Sequence, residues 1–125
     1  MKTVLVIEDE EDYRMMLSVR LHANGYNVLE AGDGDAGLEL VRVHRPDIII
    51  LDVLLPKMNG FVVAKLLKQN PLYRNIPLIM LTALTYEKSE ETGLLSGADA
   101  YLTKSCDSSL LLNKISDILK NEQSK

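Results

Sequence analysis

The stretch PDIIILDVLLPKMNG, Pro46 to Gly60, carries the architecture of the whole chain. Ile48 to Leu51 run without a polar break and stop at Asp52. An uninterrupted apolar run of strand length reads as a strand buried on both faces, here with a carboxylate at its C-terminal mouth. Packing gives no reason for an aspartate at that position. Pro56 cannot donate to a sheet ladder, and Asn59-Gly60 suits a turn into a helix. Asp52 is therefore the first candidate for a reactive centre.

The rest of the chain repeats this pattern. Thr3 to Ile7, TVLVI, is a β-branched run that ends abruptly in Glu8-Asp9-Glu10-Glu11-Asp12, a first buried strand with an acidic mouth. From about Glu11 to Asn24, Tyr13, Met16, Leu17 and Leu21 recur at helical spacing, and Asn24-Gly25 supplies the stop. Tyr26 to Glu30 reads as a short second strand. A second helix opens near Asp33-Gly34-Asp35, carries Ala36, Leu38, Leu40 and Val41, and closes before Pro46. Gly37 inside it costs about 1 kcal/mol relative to alanine, which predicts a weak element. Beyond Asp52 a third helix is expected from about Gly60 to Gln69, with Phe61, Val63, Ala64 and Leu67 inward. Asn70-Pro71 and Pro77 bracket a loop. Leu78 to Leu81 is a further apolar run, ending at Thr82. Tyr86 to Ser96 is helix-like but polar, anchored by Leu94 and Leu95, and is expected to be mobile. Asp99 to Thr103 makes a fifth strand followed by Lys104. Leu111, Ile115, Ile118 and Leu119 stripe a fifth helix, with Asp107 or Ser108 as cap.

Strands alternating with helices predict an α/β fold: a doubly wound, five-stranded parallel sheet with five helices, each a right-handed crossover. In such sheets sites form beyond the carboxyl ends of the strands, where the strand order reverses. With the flavodoxin-like order 2-1-3-4-5, strands 1 and 3 are neighbours and their mouth residues converge. Those residues are Glu8 and Asp9, Asp52, Thr82 and Lys104. A length of 125 residues allows one domain, expected over residues 1–121 with 122–125 as a frayed tail.

Composition narrows the function. A net charge of −4, with 46% hydrophobic and 26% charged residues, describes an ordinary globular chain without the basic footprint of a nucleic-acid binder. The single cysteine, Cys106, excludes an internal disulfide and a multi-cysteine metal site, and reads as a small inert filler. Apolar runs are of strand length, and Met1-Lys2 leads straight into a strand, so neither a membrane span nor a secretory signal is expected and the default location is cytoplasmic.

Clustered carboxylates raise each other's proton affinity unless a cation answers them. An all-oxygen donor set fits Mg²⁺ better than zinc, which prefers nitrogen and sulfur. The two histidines, His22 and His44, fall in helices away from the mouths. With the Lys104 ammonium and the Thr82 hydroxyl added, the set is the equipment for phosphoryl transfer onto Asp52, where catalysis is mostly positioning and charge neutralisation. No general base is needed, because the carboxylate is already ionised.

From Thr3 to about Leu119 the chain resembles the receiver domains of two-component response regulators, in the single-domain form typical of chemotaxis regulators. VLVIEDE, LDVLLPKMNG, IMLTAL and SGADAYLTK carry the resemblance, each weak alone and specific together. It implies that Asp52 accepts a phosphoryl group from a histidine kinase or histidine phosphotransfer protein, and that the phosphorylated chain hydrolyses its own acyl phosphate slowly without being an enzyme in the ordinary sense. It further implies that Asp9, Asp52 and the backbone carbonyl of Leu54 bind Mg²⁺, with Glu8 acting largely through water, while Thr82 and Lys104 hold the phosphoryl oxygens. Tyr101 matches the aromatic switch that turns inward as Thr82 moves, and the response is expected on the face of the fourth helix, fifth strand and fifth helix. Such a domain works as a monomer or a phosphorylation-dependent dimer on a downstream effector. No output domain follows the fifth helix, which fits a stand-alone receiver or the receiver piece of a longer regulator.

Two positions depart from the family pattern. Glu8 stands where either acid is usual and keeps the charge on a longer arm. Ser105 replaces the proline that usually follows the lysine and takes a cis bond. A cis bond before serine costs about 3–4 kcal/mol, against roughly 0.5–1 before proline, so a trans Lys104-Ser105 bond and a shifted loop are predicted.

Plainer readings stand beside these. A lone aspartate after a strand is usually a turn or cap residue, and the acids from Glu10 to Asp12 are explained by the helix dipole. Thr82 taken singly is a strand end, Lys104 a surface lysine and Tyr101 edge packing. Met15, Met16, Met58 and Met80 read as packing. Among competing functions, a P-loop lacks its glycine-rich Lys-Ser/Thr signature, and FMN phosphate would be repelled by Glu8 to Asp12. A phosphatase lacks the second aspartate, since that position is Leu54. A receiver-fold interaction module acting without phosphorylation is the remaining alternative.

Overall fold

The computed structural model describes residues 1–83 and 97–123. Five strands, β1 (Thr3–Ile7), β2 (Asn27–Ala31), β3 (Ile48–Leu51), β4 (Leu78–Thr82) and β5 (Ala100–Thr103), form one sheet in the order β2-β1-β3-β4-β5. Every pairing is parallel, with Ile7 opposite Leu51 and Leu51 opposite Met80. The expected order and orientation are therefore those observed. Helices α1 (Glu11–Ala23), α2 (Gly34–His44), α3 (Gly60–Gln69) and α4 (Ser108–Gln123) cover the sheet. The expected helix over 86–96 lies outside the described residues.

Alternation along the central strands sorts the core into two layers. Leu5, Ile7, Ile49, Leu51, Leu78 and Met80 face α2 and α3, meeting Val41, Val63, Ala64 and Leu67. Val4, Val6, Ile48, Ile50, Ile79 and Leu81 face α1 and α4, meeting Leu17, Leu21, Leu111, Ile115 and Leu119. Each such side chain contributes about 1.5–3 kcal/mol on burial, so the three central strands hold most of the hydrophobic driving force. They also fix the mouths of β1 and β3 side by side.

Local chemistry sets the helix ends. Asp33 caps α2 by accepting from the Ala36 N–H at 2.8 Å, and Asn59 caps α3 by accepting from the Val62 N–H at 3.1 Å. Arg45, in the left-handed region, closes α2 just before Pro46. At α4 the Asp107 carboxylate accepts from the Ser109 N–H at 3.0 Å, which decides the expected cap between Asp107 and Ser108. The same helix continues to Gln123, beyond the expected boundary at Asn121.

Three further details differ from the sequence reading. β2 begins at Asn27, one residue later than expected. Met16, read as inward on α1, is 37% exposed, because Leu17 and Leu21 supply the buried line. Gly37, read only as a weakness of α2, is also a close-packing position. A Cβ there would lie 2.4 Å from Ile7 Cδ1 and 2.9 Å from its Cγ1, so the glycine lets α2 sit directly on β1. Gly37→Ala should therefore destabilise the fold by about 1–3 kcal/mol through overpacking, outweighing the better helix propensity of alanine. Urea denaturation checks the sign: a midpoint raised above wild type would show that the contact is soft.

Candidate functional site

β1 and β3 end level, and the ladder continues past them: the Asp52 N–H donates to the Ile7 carbonyl at 3.1 Å and the Glu8 N–H to the Ala31 carbonyl at 2.9 Å. This register carries Glu8 and Asp52 to the same mouth. Carboxylate oxygens of Glu8, Asp9 and Asp52 all lie within 4.8 Å of one another, with Glu8 and Asp52 buried and Asp9 exposed. Thr82, at the end of β4, is fully buried. Its carbonyl accepts from the Lys104 N–H at 2.7 Å, which ties the lysine to the neighbouring strand mouth. Lys104 Nζ pairs with Glu8 Oε1 and lies 3.1 Å from Asp52 Oδ2. Four strand ends thus bring together all five mouth residues read from the sequence.

The turn after Asp52 holds its carboxylate in place. The Leu54 N–H donates to Asp52 Oδ1 at 3.2 Å, leaving the Leu54 side chain 52% exposed. The Gly60 N–H donates to the Val53 carbonyl at 2.8 Å, and a Cβ at Gly60 would fall 2.1 Å from the Asp52 carbonyl oxygen. Helix α3 can approach the Asp52 backbone so closely only through a glycine. Lys57 adopts a positive φ of 67° in this turn, a conformation its sequence does not announce. Tyr101 packs against the α2–α3 layer with its hydroxyl buried. Among the described residues no peptide bond is cis, so Lys104-Ser105 is trans as expected.

Two residues at the site escaped the sequence reading. Arg14 Nη1 donates to the Glu8 carbonyl at 2.6 Å while its Nε meets Glu30 Oε1 at 3.2 Å, pinning the acidic turn against β2. Its place one turn into α1, behind a block of acids, is the available signal. Tyr13, read as a member of the helical stripe, lays its ring 4.5 Å from Lys104 Nζ. A stripe position gives no hint of that contact.

A family model of the response regulator receiver domain matches residues 4–116. The chain belongs to the response regulator receiver family. It is 43% identical over 103 residues, 82% of its length, to the alkaline phosphatase synthesis transcriptional regulatory protein PhoP of Bacillus subtilis, covering 42% of that protein. Like other curated relatives, that one is longer: the receiver spans about half their length or less. Among solved structures, a Francisella response regulator receiver domain superposes with a TM-score of 0.91 at 29% identity, covering 98% of this chain and 99% of that one. The chemotaxis protein CheY4 of Vibrio cholerae superposes with a TM-score of 0.87 at 33% identity, covering 94% and 98%. Receiver domains are signalling modules, not enzymes in the ordinary sense, and among the described residues no helix is long and apolar enough to cross a membrane.

The acidic pocket of this receiver fits a hard divalent cation. Its donors are carboxylate oxygens, and Glu8 carries charge in a place that resists it: burial pushes its pKa up to about 7, with Asp52 adding repulsion and hydrogen bonds from Lys104 and the Glu10 N–H opposing. Burial by itself lowers the Lys104 pKa, but hydrogen bonds to Glu8 and Asp52 outweigh it and the ammonium is held above its usual value. The sign of the consequence is fixed. A carboxyl whose folded pKa is raised stabilises the metal-free fold below its unfolded value of 4.5, and loses that contribution as pH rises through about 7. A cation that needs Glu8 ionised binds with the opposite trend. Mg²⁺ affinity, followed by calorimetry, should rise as pH increases from 6 towards 8, with proton release on binding. The Glu8→Gln variant should lose that slope; an unchanged slope would assign it to another group.

Proposed function

We propose that this receiver is the phosphoacceptor of a two-component phosphorelay, with Asp52 as the residue modified. The observation that carries the reading is the Asp52 carboxylate itself, buried, clustered with two further acids and 3.1 Å from the Lys104 ammonium. An Asp52 oxygen attacks the phosphorus of a phosphohistidine on a histidine kinase or phosphotransfer protein. The N–P bond breaks, its electron pair returns to the imidazole, and the ring takes up a proton from water. Lys104 and the Thr82 hydroxyl meet the phosphoryl oxygens, whose charge is the main barrier to the transfer. Glu8 acting through water, Asp9, Asp52 and the Leu54 carbonyl would hold Mg²⁺, and the bound ion would neutralise phosphoryl charge. A donor phosphohistidine made from ATP places the reaction in the cytoplasm.

Asp52 phosphorylation is tested with acetyl phosphate and Mg²⁺, read by intact mass. One phosphate per chain is expected, none in the presence of EDTA; no incorporation, or incorporation indifferent to EDTA, would overturn the reading.

In the response, Thr82 moves to the phosphoryl group and Tyr101 turns inward behind it, altering the face of β5 and α4. A hydrogen bond to a charged group is worth about 1.5–3 kcal/mol, so Thr82→Ala should weaken the switch equilibrium about tenfold or more while phosphate incorporation persists. Amide exchange across β5 and α4, compared with and without phosphate, reads the difference. Equal exchange in free and phosphorylated wild type would contradict the switch.

A further inference from the structure

Among the described residues three groups hold the Lys104 ammonium: Glu8 Oε1, Asp52 Oδ2 at 3.1 Å, and the ring of Tyr13 with its centroid 4.5 Å from Nζ. The phosphoryl transfer described above redirects both carboxylates. Asp52 becomes the acyl phosphate, and Glu8 is a residue of the cation site. The aromatic face carries no net charge to lose and takes no part in the bond making, so it is the partner whose attraction for Lys104 survives the reaction.

We propose that Tyr13 is a positioning residue for phosphoryl transfer, its ring holding Lys104 over Asp52 while the two carboxylates are engaged elsewhere; the inference rests on the phosphoacceptor reading. Tyr13 sits in the first turn of α1, half-buried against the layer of Val4, Val6 and Leu81. With Lys104, Leu81, Cys106 and Leu111 it lines a cavity of about 230 Å³ between α1 and α4, beside the acidic pocket. A cation within about 6 Å of a ring centroid is attracted to its face, and more strongly when desolvated. The Lys104 side chain is 16% exposed, so water competes little. The backbone beyond it adds less restraint than a proline would, because Ser105 leaves φ unfixed. Placement of the ammonium then falls to its side-chain contacts.

Tyr13→Phe keeps the ring and Tyr13→Leu replaces it with apolar bulk, both assayed well below their urea midpoints. Two readouts are needed. NMR of the Lys104 side chain reports the ring directly: its methylene protons next to Nζ should be shifted upfield by the ring current in wild type and Phe, and not in Leu. Labelling by acetyl phosphate with Mg²⁺ should proceed at the wild-type rate in Phe and about five- to tenfold slower in Leu. A Leu variant as fast as wild type, a Phe variant as slow as Leu, or a wild-type Lys104 without the shift would each overturn the positioning role. If wild type takes up no phosphate, the phosphoacceptor reading fails and the positioning role falls with it; the NMR shift then still reports the contact, so the two failures are told apart.

Discussion

Asp52→Asn should take up no measurable phosphate from acetyl phosphate while remaining folded. An amide is a far poorer nucleophile than a carboxylate, and removal of a covalent nucleophile costs on the order of 10⁶-fold where it has been dissected in a hydrolase. The stability side of the prediction is less obvious and equally testable. Removing one partner of a buried ion pair commonly costs about 3–5 kcal/mol, because the other charge is stranded. Lys104 is not stranded here, since Glu8 also holds it, and the repulsion between Glu8 and Asp52 is relieved. Asparagine also preserves the volume and the acceptor for the Leu54 N–H. The metal-free variant should therefore melt at or above the wild-type temperature. A large fall in melting temperature, followed by differential scanning calorimetry, would mean that Asp52 is held there for structure.

Gly60→Ala should do the reverse, leaving every site side chain in the sequence and losing both stability and phosphorylation. The added methyl would lie 2.1 Å from the Asp52 carbonyl oxygen and 2.8 Å from Val53 Cα, and both are backbone atoms that cannot rotate away. Relief requires α3 or the Asp52–Val53 peptide to move. Overpacking of this kind costs about 1–3 kcal/mol and occasionally more, a large part of the roughly 5–15 kcal/mol that stabilises a typical domain. Denaturation midpoint and the rate of acetyl phosphate labelling should fall together. A variant with wild-type stability and wild-type labelling would show that the turn after β3 does not position the carboxylate.

The contrast between these two positions marks what sequence makes legible. Asp52 announces itself, because an acid that terminates Ile48 to Leu51 breaks a pattern. Thr82 and Lys104 follow by the same logic once parallel strands are inferred, since crossover helices force every C-terminal strand end to one side. With the flavodoxin-like strand order taken for the sheet, the convergence of Glu8, Asp9 and Asp52 was readable for that reason, and both are observed. Gly37 and Gly60 were not readable. Each is defined by how closely another element approaches, a tertiary distance that no local propensity encodes, and Gly37 was accordingly read only as a liability of α2, although it is also the contact surface for Ile7. Tyr13 and Arg14 were hidden differently: their positions on α1 are those of an ordinary helix, and only the neighbouring strand mouths give them work. Met16 shows the limit of periodicity itself, being in phase with the buried stripe yet sitting at its exposed margin.

The central claim is that the phosphoryl group resides on Asp52. Wild-type protein treated with acetyl phosphate and Mg²⁺, reduced with borohydride and digested, reports the site by mass spectrometry, because an aspartyl phosphate is converted to homoserine. Homoserine at position 52 and at no other acid, dependent on Mg²⁺, is the predicted result. A reduction product at Glu8 or Asp9, or phosphate retained on His22 or His44, would contradict it.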